Sequence, residues 1–297
     1  MKAIVSGLLN IETTAPVESF PISYCPIKFT FNGVTSNVSG VGCNIAKALT
    51  VLGDNVDLIS LIGDDDDGER IIKDLKRSGI KTDLISAELN NTPTSVILYA
   101  SDGKRQVYCD LKDIQEHYIS PEKVMDKLRS ADAAILCNIN FNRELIKSAH
   151  KNGVLTATDV HVLSNIEDEY NRDFMENADI LFLSDESLPC PPDIFIKQIY
   201  DRYHNRIIVI GMGSKGAMLL ENGNISVIPA YSSGKVINTV GAGDALFSAF
   251  MHFFVKGHNA LDALKRAVIF AGLKIRFNGA SVGFSEEAEI ETIIKKQ

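Results

Sequence analysis

Short apolar runs alternate with amphipathic segments along most of the chain, and this alternation constrains the fold more than any other feature. Lys2–Gly7, Val56–Ile62, Ala133–Leu136, Val154–Thr158, Ile180–Leu183 and Arg206–Ile210 read as compact apolar strands. Cys43–Leu52, Glu69–Ser78, Arg143–Lys151 and Pro192–Tyr203 read as helices, with Ile45, Leu49 and Leu52 on one face of the first. Strand-then-helix order predicts a parallel sheet covered by helices on both faces. Three further helices are expected over Gly243–Lys256, Ala260–Phe277 and Ser285–Lys296.

Two segments break the alternation. Residues 17–38 contain PISYCPIKFTFNG, which has β character and no helical period. Residues 94–110 carry the turn Ser101-Asp102-Gly103-Lys104 between two β-type runs, a hairpin signature. Both are expected to form a small β-sheet outside the main one. A second hairpin is expected from Ala217–Leu220 and Ile225–Pro229. There is no internal repeat, low-complexity tract or long linker. The expected organisation is one α/β domain over residues 1–297, with β segments at about 13–38 and 92–112 inserted in it.

At 297 residues and 45% hydrophobic, the chain can bury a full core. Its formal charge of -8 repels phosphate backbones, so nucleic acid is a poor partner. The five cysteines form no C-x-x-C pair, which fits a reducing compartment without structural zinc. No apolar run is long enough to span a bilayer, and MKAIVSGLLNIETT lacks the apolar core of a signal peptide. A cytoplasmic protein with no membrane partner is expected.

The sharpest local feature is Thr239-Val240-Gly241-Ala242-Gly243-Asp244, opening an almost wholly apolar helix. A helix N-terminus offers unpaired N–H groups and the positive end of the dipole. Glycines allow a close approach, so the turn suits a phosphate or oxyanion. Asp244 there can accept a proton from an attacking hydroxyl. The plainer alternative is a helix start, since Thr, Gly and Asp all suit caps and first turns.

Other motifs carry less. Gly63-Asp64-Asp65-Asp66-Asp67-Gly68 reads as an acidic helix start rather than a metal site. Gly211-Met212-Gly213-Ser214-Lys215-Gly216 is formally G-x-G-x-x-G, but a strand follows it where a dinucleotide fingerprint needs a helix. No G-x-x-x-x-G-K-[ST] occurs, which argues against a P-loop kinase. His117, His150, His204, His252 and His258 show no metal spacing, and His161 reads first as structural.

Together these motifs resemble the ribokinase-like (PfkB) carbohydrate kinases, in the family's order from Gly7 to Ala280. The resemblance implies a three-layer αβα fold with a mostly parallel central sheet and a small β-sheet lid. It implies Asp244 as catalytic base, with Gly241, Ala242 and Gly243 forming the anion hole. Ser39-Gly40-Val41-Gly42-Cys43-Asn44-Ile45-Ala46 is similar to the early Gly-Gly-x-x-x-Asn-x-Ala stretch, with Ser39 for the first Gly, and implies substrate contacts from Gly40 and Asn44. Asn10 and Glu12 match the end of the family's first strand, with Glu12 for the usual Asp; a solvated turn acid is the alternative for Glu12. Gly213, Gly216, Thr239, Gly279 and Ala280 fall where the family contacts nucleotide, with Gly211 for the usual Thr.

Three more departures stand out. Asn238 replaces the Asp that usually begins the signature, Ser184-Asp185-Glu186-Ser187 replaces Asn-x-x-Glu, and Asp159-Val160-His161 replaces Asp-x-Asn. The implied cofactors are ATP and magnesium, with no protein metal ligands assigned and a monovalent cation as an option. The implied reaction is phosphorylation of a hydroxyl on a sugar or sugar-like molecule, with a homodimer through the lid. Two alternatives follow: a pseudouridine or nucleoside kinase, with Tyr24, Phe29, Phe31 and Tyr99 as a platform for the base, and a non-catalytic nucleotide- or sugar-binding regulator.

Overall fold

A computed structural model of the chain describes residues 1–232 and 234–296; Ser233 and Gln297, which the expected domain includes, lie outside the described residues. The first half contains β1 (Lys2–Ser6), β2 (Asn10–Pro16), β3 (Thr35–Ser39), α1 (Val41–Val51), β4 (Asn55–Gly63), α2 (Asp66–Arg77), β5 (Lys81–Leu89), β6 (Thr94–Tyr99) and β7 (Arg105–Asp110). Then come α3 (Met125–Arg129), β8 (Ala133–Leu136), α4 (Arg143–Lys151), β9 (Thr156–Val162), α5 (Arg172–Asn177), β10 (Ile180–Ser184), α6 (Pro192–Tyr203) and β11 (Ile207–Gly211). The chain closes with β12 (Ala217–Glu221), β13 (Asn224–Ile228), α7 (Ala242–Val255), α8 (Ala260–Lys274) and α9 (Glu287–Ile294).

The main sheet runs β13-β12-β11-β10-β9-β8-β1-β4-β5. From β5 to β11 every pairing is parallel, and β12 and β13 add an antiparallel edge. The expected three-layer, mostly parallel architecture is therefore present. Strand β1 pairs with β4 on one side and β8 on the other, so the strand order reverses at β1. In such sheets the crevice for ligands opens at the carboxyl ends of the strands where the order reverses.

One face of the sheet packs against α1, α2, α7, α8 and α9, the other against α3, α4, α5 and α6. Ala245 through Phe253 of α7 are all buried. Phe247 and Phe250 pack on Phe182 of β10, with ring centroids 4.7 and 5.2 Å apart. Burying a phenylalanine contributes roughly 1.5–3 kcal/mol, so α7 is fixed in direction, with its N-terminus at the crevice.

A second sheet, β3-β2-β6-β7, stands outside the first and forms the lid. The expected hairpin is present as the antiparallel pair β6 and β7. The expected β character of residues 17–38 holds only from Thr35 onward, and 17–34 form no strand. Pro21 and Pro26 each lack the N–H that a strand interior needs. Tyr24, Phe29 and Phe31 in this stretch are 92%, 79% and 88% exposed.

The acidic run before α2 has a structural role. Asp65 caps the helix, accepting from the Gly68 N–H at 2.8 Å, and also accepts from the Thr92 N–H at 2.8 Å. Helix α8 ends at Lys274, short of the expected Phe277, and its Ile275 cap carbonyl accepts from the N–H groups of Ile237 and Asn238.

Candidate active site

Gly241 is the N-cap of α7, at φ 78°, a conformation that favours glycine. A Cβ there would stand 2.6 Å from the Ala280 carbonyl oxygen. Gly243 differs, because a Cβ built on it meets nothing within 4 Å. One glycine thus shapes the turn against the Gly279–Ala280 segment, and the other leaves space above it. The Ala242 N–H donates to the Thr239 carbonyl at 3.1 Å. Ala242 thus helps close the turn, while the first-turn N–H groups of Gly243 and Asp244 have no intrahelical partner.

Asp244 lies in the first turn of α7. Its Oδ2 accepts from Asn44 Nδ2 at 2.7 Å. Asn44 sits in the first turns of α1, which packs against α7. Asn44 Oδ1 accepts from the Ser39 hydroxyl at 3.3 Å, and that hydroxyl also lies 3.0 Å from Glu12 Oε2. A polar chain therefore runs from β2 through β3 and α1 to α7. Gly40 makes the corner between Ser39 and α1 at φ 102°, where a Cβ would come within 2.3 Å of the Leu8 carbonyl oxygen. Among the sequence candidates, Asn10, Glu12, Gly40, Asn44 and Asp244 are thus brought together.

Glu12 is 5% exposed and Asn10 4%, so the solvated-acid reading of Glu12 fails. Asn10 Nδ2 donates to Ser95 Oγ at 2.9 Å. Two acceptors are left without partners, Asn10 Oδ1 and Glu12 Oε1. Buried polar atoms normally find partners. Unpaired acceptors beside a cleft suit ligand hydroxyls, which can donate to them.

The charges in the cleft perturb one another. Burial raises the Asp244 pKa above the usual carboxylate value, opposed by the His161 imidazole and by the Asn44 amide. Burial likewise raises Glu12, and the Ser39 hydroxyl opposes it. Burial pushes Lys274 down to about 8, while the charges of Asp244 and Glu12 pull it back up. Opposed environments of this kind are common where proton transfer occurs. His161, first read as structural, belongs to this field. Its N–H donates to Asp159 Oδ1 at 2.8 Å at the end of β9, and its ring Nδ1 lies 3.6 Å from Asp159 Oδ2.

On the other side of α7 the loops after β10 and β11 lie side by side, with the Asp185 N–H donating to the Gly211 carbonyl at 2.9 Å. Gly213–Lys215 forms a single 3₁₀ turn, so no helix follows the glycine loop. A Cβ on Gly213 meets open space, whereas one on Gly216 would come within 2.0 Å of the Ile228 carbonyl oxygen. Gly213 has room above it, and Gly216 packs against the end of β13. Asn238 Nδ2 donates to Asn278 Oδ1 at 2.8 Å, and its Oδ1 accepts from the Val240 N–H at 2.9 Å.

Two residues at the site were not among the sequence candidates. Arg105, at the start of lid strand β7, places Nη1 3.3 Å from the Thr239 hydroxyl. Lys274, at the end of α8, is completely buried and donates to the carbonyls of Val240 and Gly279. Arg105 lies in a hairpin and Lys274 at a helix end, places where basic residues are ordinary. Among the described residues no group of three or more His, Cys, Asp or Glu side chains is placed to hold a metal ion.

The pfkB family carbohydrate kinase model matches residues 2–287 of the chain. A ribokinase of Lactococcus lactis is 25% identical over 267 residues, covering 86% of this chain and 85% of that protein. A nucleoside kinase of Methanocaldococcus jannaschii is 26% identical over 250 residues, covering 82% and 80%. Among solved structures, a microbiome-derived acarbose kinase superposes with a TM-score of 0.87 at 21% identity, covering 99% of this chain and 98% of that one.

Proposed function

The chain belongs to the pfkB family of carbohydrate kinases, and from that premise we propose that Asp244 is the base in transfer of the ATP γ-phosphoryl group to a hydroxyl of a small sugar. Use of ATP and a sugar substrate follows from the family. The observation that carries the residue assignment is the bond between Asn44 and Asp244, with two unpartnered acceptors on β2 nearby.

In this reading Asn10, Glu12 and Asn44 hold the acceptor through its hydroxyls, and Gly40 lets the backbone come close. Asp244 takes the proton of the attacking hydroxyl. The oxygen then bonds to the γ-phosphorus as the bond to the ADP oxygen breaks. The first-turn N–H groups of α7 and the dipole of the helix face the charge on the transferring group. Gly213, Thr239, Gly279 and Ala280 border the nucleotide. Magnesium, if bound with the nucleotide, would supply neutralising charge on its phosphates, and with no protein cage for it among the described residues it would be held through water, with Asp159, Asp185 and Glu186 as candidate carboxylates for that shell.

The whole chain acts as one kinase domain. The lid, with strands from about 13–38 and 92–112, closes over the acceptor and excludes water. Val96, Val107 and Tyr108 are exposed on β6 and β7, which supports pairing of two lids in a homodimer. Five unpaired cysteines, Cys43 and Cys137 fully or nearly buried among them, support a reducing cytoplasm.

The test is ADP release across a panel of sugars and nucleosides, with wild-type enzyme and Asp244→Asn. Turnover on sugars that the variant loses is the expected result. Preference for a nucleoside overturns the sugar assignment, and near-normal turnover by Asp244→Asn overturns the role of the base.

A further inference from the structure

A fully buried lysine needs an account. Lys274 is 0% exposed, and no ion pair among the described residues involves it. Its Nζ instead donates to the Val240 carbonyl at 2.7 Å and the Gly279 carbonyl at 2.6 Å. Burying an ammonium without a paired carboxylate is costly. Here backbone dipoles and the more distant charges of Asp244 and Glu12 offset that cost.

The two carbonyls belong to the two turns that shape the phosphate end of the site. Val240 directly precedes the Gly241 N-cap of α7, and Gly279 directly precedes Ala280. The Ala280 carbonyl is the one that a Cβ on Gly241 would strike. One ammonium therefore spans both sides of the glycine turn. A free monovalent cation, an option that the family resemblance raised, would have to be held beside this turn by carbonyl oxygens such as these, and Lys274 Nζ already fills the point where they converge. Asn238, next to this point, supplies a neutral amide bonded to Val240 and Asn278, and no anionic ligand. The residues present do not fit a free cation.

We propose that Lys274 is a tethered cation of the anion hole, replacing a free monovalent ion by clamping the Val240 and Gly279 carbonyls and holding a positive charge behind the N-terminus of α7. It touches backbone rather than substrate, so it is a positioning residue. Its charge acts on the phosphoryl group through the turn that it fixes. This role rests on the phosphoryl-transfer reading above; the clamp itself rests on geometry alone.

The test compares wild type, Lys274→Ala and Lys274→Met in tetramethylammonium, potassium and ammonium chloride at one ionic strength. Wild-type turnover is expected to be the same in all three salts. Lys274→Met should lose about 100-fold in kcat, the scale of removing one preorganised electrostatic contact, with KM for ATP within about threefold of wild type. Lys274→Ala opens a space lined by the two carbonyls, and ammonium should restore its kcat by about tenfold or more while leaving the space-filling Met variant unchanged. The proposal is overturned if Lys274→Ala turns over at the wild-type rate in tetramethylammonium, or if potassium accelerates the wild type by a similar factor. It is also overturned if ammonium raises the melting temperature of Lys274→Ala without restoring kcat, since that is a structural role only. If the wild type phosphorylates nothing in the panel, the kinase reading fails instead. The clamp is then read from ATP binding and melting of Lys274→Ala, both of which ammonium should strengthen; no response of either to ammonium overturns it.

Discussion

Asn44 Nδ2 stands 2.7 Å from Asp244 Oδ2, joining α1 to α7. The pair places the acceptor side of the cleft in direct contact with the proposed base. Asp244→Asn is expected to lose on the order of 100-fold or more in kcat while still binding ATP. Single-turnover kinetics with an ATP-binding titration separate the two effects.

Removing the other partner gives a different signature. The Asn44 amide holds the Asp244 pKa down against burial. Asn44→Leu removes that donor, so the carboxyl protonates at higher pH. The acid limb of the kcat profile should therefore move upward in pH, and KM for the acceptor should rise. An unmoved acid limb means that Asp244 does not set it.

Lys274 sets the alkaline side. Burial lowers its pKa to about 8 against the more distant charges of Asp244 and Glu12, which pull it up. Activity should decline as pH rises through about 8, when the ammonium loses its charge. Stability should move the other way. The unfolded chain holds this proton up to the ordinary lysine range, so between about 8 and that range the unfolded state binds more protons, and this group's contribution to stability rises with pH. A pH–rate profile beside melting curves over the same interval tests both signs.

The glycines of the turn separate folding from catalysis. Gly241→Ala forces a methyl group toward the Ala280 carbonyl at a φ that disfavours it, so a loss of roughly 1–3 kcal/mol in stability is expected. Gly243→Ala meets open space. It should melt like the wild type but turn over poorly, because the methyl occupies the position proposed for the phosphoryl group. Denaturant melts and initial rates on both variants decide this.

Arg105 reaches the Thr239 hydroxyl from the lid. Arg105→Ala should lower kcat/KM by roughly tenfold, the scale of a lost charge-assisted hydrogen bond. It should also raise the ratio of ATP hydrolysed to sugar phosphorylated, because the lid closes less firmly. Coupled assays for ADP and for sugar phosphate measure that ratio.

The sequence was informative where one segment carried its own signal. Arg143–Lys151 and Pro192–Tyr203 match α4 and α6 at both ends because each shows a helical period, and the second opens with proline. Asp244 and Asn44 could be found because glycines surround them in a recognisable order. Strand β2 was harder to see, since Asn10–Pro16 is rich in polar residues and its burial comes from the lid and cleft around it. Strand β5 forms the edge of the main sheet, and its residues carry little apolar signal. Lys274 and Arg105 left no local trace. The first is defined by carbonyls distant in sequence, the second by a hydroxyl on the opposite wall, and neither contact has a pattern that a linear reading can hold.

The strand reversal at β1 brings Asn10, Glu12 and Asn44, early in the chain, to the same crevice as Asp244, Lys274 and Ala280, which are synthesised well after them. On the roles proposed above, a nascent chain that has not reached α7 holds the acceptor-binding residues but lacks the base and the clamp. A product truncated there should transfer no phosphoryl group.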